Sequence, residues 1–138
     1  MAANTAPIFT LTPNVGLAAI SATADAASAS SGSTITPTAS SFVTLLTAGT
    51  NGTRVEEAQY IGTGVTVAGL IRLYIYTGSL YYLKDTVIVP VVTPSTTTAN
   101  WSYTQTYQNL TLKTGETLVV SSTVANQLVN VVALGGDY

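Results

Sequence analysis

Val67-Ala68-Gly69-Leu70-Ile71-Arg72-Leu73-Tyr74-Ile75-Tyr76 reads as one clean strand, and Thr77-Gly78-Ser79 then turns the chain into Leu80-Tyr81-Tyr82-Leu83-Lys84-Asp85-Thr86-Val87-Ile88-Val89. Successive side chains of a strand point to opposite faces, so Ile71, Leu73 and Ile75 are predicted on one face and Arg72, Tyr74 and Tyr76 on the other. A short Gly-containing turn between two β-rich runs predicts a hairpin. If Tyr81, Leu83, Val87 and Val89 face the core, Tyr82 and Lys84 join Arg72, Tyr74 and Tyr76 on an exposed aromatic face. That face is the first candidate contact surface.

The same grammar extends in both directions. Upstream, Ser41 to Thr47 is β-rich and Thr53 to Ile61 reads as a strand, with Asn51-Gly52 between them as a hairpin signal of the type I′ kind. The second of these strands has no pure core face: Val55, Glu57, Gln59 and Ile61 lie on one side, Arg54, Glu56, Ala58 and Tyr60 on the other. Downstream, Pro90 and Pro94 bracket a strand end and Ser95-Thr96-Thr97-Thr98 is a loop. Trp101, Tyr103 and Tyr107 share one side of an alternating run. Lys113-Thr114-Gly115-Glu116 is a turn, and Thr117–Val124 and Leu128–Leu134 are further strands. About eight strands at this spacing, with no convincing helix, predict an all-β, antiparallel β-sandwich that is jelly-roll-like.

The first forty residues read differently. Pro7 to Pro13 alternates apolar residues with Thr, as a short edge strand would, with Ile8 and Thr10 or Phe9 and Leu11 toward the core. Gly16 to Ile20 is a second short strand or, across 17–30, a helix; the missing 3.6-residue period and the competing Ser and Thr favour extended structure. Ser21 to Ser41 is nearly all Ala, Ser, Thr and Gly. Residues 1–40 are therefore expected to form an extended N-terminal arm packing on the sandwich or on neighbours, and residues 41–138 the sandwich itself.

Composition limits the chemistry. The 138 residues include no His and no Cys, four Lys and Arg, six Asp and Glu, and 25 Thr. General acid–base catalysis lacks a group that titrates near neutral pH without a shift, thiolate chemistry is excluded, and no Gly-x-Ser-x-Gly motif is present. Glu56 and Glu57 are the only adjacent carboxylates, and in a strand they project to opposite faces. Glu57 could still meet Glu116 or Asp85 in space, but solvated or ion-paired strand residues are the favoured reading. Isolated carboxylates such as Asp25 or Asp137 could join carbonyls around calcium, yet no calcium-loop motif exists. Gly62-Thr63-Gly64 lacks the Lys-Ser/Thr of a phosphate loop and reads as a turn. No enzyme activity, cofactor or metal is expected.

With so few cations no basic patch can form, so nucleic acid is not an expected partner. No apolar run reaches transmembrane length and the N-terminus does not read as a signal peptide. Arg72 and Lys84 are expected to form ion pairs with Asp85 or Glu57 or hydrogen bonds within the sheet. A hydrophobic fraction of 46% under so little charge predicts a surface covered by other subunits. The contrasting reading is a monomer solubilised by hydroxyl and amide groups. The interface candidates are Ile8, Phe9, Leu11, Tyr74, Tyr76, Tyr82, Trp101, Tyr103 and Tyr107, because Tyr and Trp supply large amphipathic contact area.

Thr47-Ala48-Gly49-Thr50-Asn51-Gly52-Thr53-Arg54-Val55, Gly69 to Gly78 and the closing Val129 to Tyr138 resemble small structural proteins of tailed bacteriophages. The likeness spans most of the chain after residue 40 and the opening Ala3-Asn4-Thr5-Ala6-Pro7. It implies a virion component assembled in the host cytoplasm, a capsid decoration protein or part of a head or tail fibre. The expected partners are copies of the chain, as a homotrimer, and virion proteins such as the major capsid protein. A carbohydrate-binding adhesin using the Tyr/Trp face is the alternative. The resemblance carries over no functional residue.

Overall fold

Alternating apolar residues place each strand between a core and a surface, and eight strands result: β1 (Thr12–Ala19), β2 (Phe42–Thr47), β3 (Thr53–Gly62), β4 (Gly69–Tyr76), β5 (Tyr81–Val89), β6 (Ser102–Leu112), β7 (Thr117–Ser122) and β8 (Val129–Asp137). The structure, a computed structural model, describes residues 12–20, 23–26, 37 and 40–138. No helix occurs among the described residues. The strands form two antiparallel sheets, sheet one in the order β1-β8-β3-β6 and sheet two in the order β2-β7-β4-β5. Every connection crosses from one sheet to the other except β4 to β5, where the predicted hairpin is closed by the Thr77 N–H donating to the Leu80 carbonyl at 3.0 Å.

The two inner faces meet in one apolar core, a sandwich-like arrangement. Val55, Tyr60, Leu112 and Val131 of sheet one pack with Leu46, Ile71, Leu73, Val89 and Leu118 of sheet two. Burial of such side chains contributes roughly 1.5–3 kcal/mol each and supplies the driving force in a chain without disulfides.

Three of the predicted features need correction. Asn51-Gly52 does not close a hairpin, because β2 and β3 lie in different sheets. The turn is instead held by the Gly52 N–H on the Gly49 carbonyl at 3.0 Å, with Gly52 alone at positive φ (91°) and Asn51 not. The expected boundary at residue 41 is too late, since Thr12–Ala19 pairs along its whole length with β8 and belongs to sheet one. The last strand does not stop at Leu134; it runs through Gly135 and Gly136 to Asp137. Ile8, Phe9 and Leu11, and most of the Ser/Thr/Ala-rich segment, lie outside the described residues.

Bulges explain the mixed faces. In β3, Val55 opposes Gly135 and Glu57 opposes Leu134, which leaves Glu56 as the extra residue. The alternation therefore changes phase at Glu56: Thr53 and Val55 face inward before it, Ala58, Tyr60 and Gly62 after it. One inserted residue exchanges the two faces of everything beyond it. Lys84 does the same in β5, where Leu73 opposes Asp85 and Tyr74 opposes Leu83.

One side of the fold is sealed and the other is open. On the sealed side β1 approaches β2 so closely that a Cβ at Gly16 would lie 2.0 Å from the Leu45 carbonyl oxygen. Asn14 completes the seam by donating from Nδ2 to the Thr47 carbonyl at 3.0 Å. On the opposite side the edges of β5 and β6 diverge around a cleft.

Candidate functional site

The predicted aromatic face is not one surface. The Lys84 bulge turns Tyr81 to the side of Tyr74 and Tyr76, and puts Tyr82 opposite Ile75, against the expectation that Tyr82 joins them. Tyr81 stacks on Tyr76 with ring centroids 4.5 Å apart and lies 5.2 Å from Phe42. Tyr74 is fully buried and Tyr76 partly so. Trp101 and Tyr107 pack in part against the core from β6 or its approach, while Tyr82 and Tyr103 remain exposed.

Tyr74 is buried because the segment around Asp25 lies over the outer face of sheet two. The Asp25 N–H donates to the Ser122 carbonyl at 2.7 Å, and its carboxylate accepts from Ser121 Oγ at 2.7 Å and from the Tyr74 hydroxyl at 2.8 Å. Arg72 Nη1 is 3.4 Å from the same carboxylate, so Arg72 pairs with Asp25 and not with the expected Asp85 or Glu57. Burial first, then the hydrogen bond to Asp25 and its negative charge, push the Tyr74 phenol up to about 12. The described part of the low-charge segment is thus spent on the chain's own sheet.

The outer face of sheet one has no such cover among the described residues. Register places Val15, Leu134 and Glu57 in one row, Leu17, Val132 and Gln59 in the next, and Ala19, Asn130 and Ile61 in the third. Leu17 is 73% exposed, Val15 54% and Ile61 41%. Between β1, β8 and β3, Leu17 and Ile61 border a shallow hollow of about 370 Å³. Glu57 is the one charge in these three rows, and it accepts from Gln59 Nε2. The sequence signal was present but reads backwards: large Val15 and Leu17 alternate with small Gly16 and Ala18, and the small residues turn inward because β2 leaves no room there.

The open side carries the second candidate. Lys84 and Asp85 of β5 face Gln105 to Leu110 of β6 across a cleft of about 440 Å³. Tyr107 donates to Asp85 Oδ2 at 3.1 Å, and the Lys84 ammonium sits 5.3 Å from the Tyr107 ring centroid. Burial raises the Tyr107 phenol far above its ordinary value, with Tyr60 and Asp85 adding to it. Tyr60 is raised too, by burial first and then by the Asp85 charge, with the Tyr107 hydroxyl acting in the opposite direction. The Tyr60 hydroxyl is buried and closes no hydrogen bond of ordinary geometry.

The carboxylates stay apart. Glu57 is on the outer face of sheet one, Asp85 on β5 of sheet two and Glu116 in the β6–β7 turn; no group of three potential metal ligands forms among the described residues. Asp137 accepts from Thr53 Oγ1 and from Asn14 Nδ2, the latter at 2.7 Å, and these bonds hold its carboxyl below the usual carboxylate value. They tie the end of β8 to the sealed seam. No protein-family model matches the chain, and comparison with curated proteins returns no match.

Proposed function

We propose that this chain is a non-enzymatic structural subunit of a virion, a jelly roll that associates through the outer face of sheet one. The strand order supports the jelly-roll reading: β1 pairs with β8, β2 with β7, β3 with β6 and β4 with β5, as when one long hairpin of four nested pairs is rolled into two sheets. The observation that carries the assembly reading is the face of Val15, Leu17, Ile61 and Val132. On sheet two the described segment around Asp25 covers Tyr74 and Ser121, whereas this face leaves Val15, Leu17 and Ile61 in water together beside a single carboxylate. Contiguous apolar surface of this kind marks an interaction site. The occupant is a second copy of the chain, since the face is almost uncharged and a net charge of -2 gives copies little mutual repulsion.

In this reading the subunits form a trimer and the assembled particle of three binds the head lattice, gaining affinity by valency. The virion setting rests on the resemblance of the turn and strand motifs to tailed-phage structural proteins. Sedimentation velocity of the full chain over a micromolar concentration range tests the assembly step. A discrete oligomer is expected; a monomer throughout overturns it.

A further inference from the structure

We propose that the cleft between β5 and β6 binds a neutral polyhydroxylated ligand, a saccharide, independently of assembly. The cleft's volume of about 440 Å³ falls in the range of small-molecule sites. Its charges cancel, with Lys84 against Asp85, so it selects for neither anions nor cations. What remains is amide chemistry. Each of Gln105, Gln108 and Asn109 can donate and accept at once, which is what a sugar hydroxyl requires of its partner.

Local backbone explains why those amides are available. β3 and β6 pair up to Leu110 opposite Val55 and resume at Thr106 opposite Glu57, so residues 107–109 have no partner on β3. Such an interruption re-aims side chains at a sheet edge. The side chains of Gln108 and Asn109 make no hydrogen bond among the described residues, while Gln105 is held by the Tyr103 hydroxyl at 2.9 Å. Tyr103, 42% exposed, extends this strand with an aromatic surface suited to stacking on a sugar ring.

An independent observation comes from inside the wall. Tyr60 is fully buried, its ring centroid 6.1 Å from that of Tyr103, and its phenol lies within electrostatic reach of Tyr107 and Asp85, both of which line the cleft. Its hydroxyl lies beside that of Tyr107 yet closes no hydrogen bond of ordinary geometry. A ligand hydroxyl that enters between Tyr107, Asp85 and Tyr60 would give the Tyr60 hydroxyl the well-formed bond it lacks. Lys84 over the Tyr107 ring and the Tyr107–Asp85 bond keep that pair in place.

The test is an array of neutral oligosaccharides (glucans, mannans and galactans) probed with the full chain, followed by calorimetric titration of the best-retained sugar. Two variants are titrated beside the wild type: Gln108→Ala combined with Asn109→Ala, and Tyr60→Phe, which removes only that buried hydroxyl and should melt no lower than wild type. Expected are retention of at least one neutral sugar and a loss of about tenfold in affinity in one or both variants, the loss that one hydrogen bond of about 1.4 kcal/mol gives. No retention of neutral sugars, retention of acidic glycans only, or full affinity in both variants overturns the site. Leu17→Glu, on the opposite sheet face, leaves the affinity per chain unchanged, so a failed assembly reading does not decide this one.

Discussion

The Tyr74 hydroxyl donates a 2.8 Å hydrogen bond to the buried carboxylate of Asp25, across 49 residues of sequence. That bond, with those from Ser121 and Arg72, fastens the segment between β1 and β2 over sheet two. It buries Tyr74 and Ser121 on the outer face of sheet two.

Removing the carboxylate should therefore be severe. Asp25→Ala takes from Arg72 its buried counter-charge and from Tyr74 and Ser121 their acceptor. Breaking one member of a buried pair typically costs about 3–5 kcal/mol. Tyr74→Phe deletes a single bond to a charged group and should lose about 1.5–3 kcal/mol. Urea denaturation followed by circular dichroism measures both, and near-wild-type midpoints would mean the segment is not fastened there.

Alkali should unfold the protein. The Tyr74 phenol is raised to about 12 in the fold against 10.0 for the free side chain, and burial raises Tyr60 and Tyr107 as well. The folded state holds these protons longer than the unfolded chain, so stability is complete below pH 10 and falls as pH rises from there through about 12. Each phenol contributes a slope of about 1.4 kcal/mol per pH unit within its own window. Thermal melts across that window should drop, and the last part of the phenolate absorbance, that of the buried phenols, should rise together with unfolding.

Acid acts through the other end of the sheet. Hydrogen bonds from Thr53 and Asn14 hold Asp137 below its ordinary value of 3.8, so the stability it contributes is present above that pH and is lost as pH falls through the lower, folded value. Asp137→Asn should flatten this part of the acid melting curve. An unchanged acid profile in that variant would remove Asp137 from the seam.

Gly16→Ala should disturb the sealed side. The added carbon meets the Leu45 carbonyl oxygen at 2.0 Å, and backbone on both strands must shift. Overpacking of this sort costs about 1–3 kcal/mol. A melting temperature equal to wild type would show that β1 and β2 are not in close approach.

Much of this was legible in the residues. The runs at Ser41–Thr47 and Val67–Tyr76 read as strands, and strands form there at Phe42–Thr47 and Gly69–Tyr76. The mixed faces of Thr53–Ile61 held the trace of a bulge, but strict alternation has no place for an extra residue, so Glu56 and Lys84 were read in phase and Tyr81 and Tyr82 were exchanged. Asn51-Gly52 shows the limit of a local signal: a turn forms, yet only the sheets decide whether its strands pair. The Asp25–Arg72 pair spans 47 positions and has no local signature at all. Val15 and Leu17 carry no local mark of exposure; they face outward because the approach of β2 admits only Gly16 and Ala18 on the inner side.

Assembly through sheet one is tested most directly by sedimentation equilibrium of three proteins: wild type, Leu17→Glu and Ile88→Glu. Ile88 is 75% exposed on β5 of sheet two and controls for the loss of any surface aliphatic residue. Wild type and Ile88→Glu should both give three times the 14.2 kDa chain mass, and Leu17→Glu a single chain mass with an unchanged circular dichroism spectrum. The same mass for Leu17→Glu as for wild type would contradict the proposal.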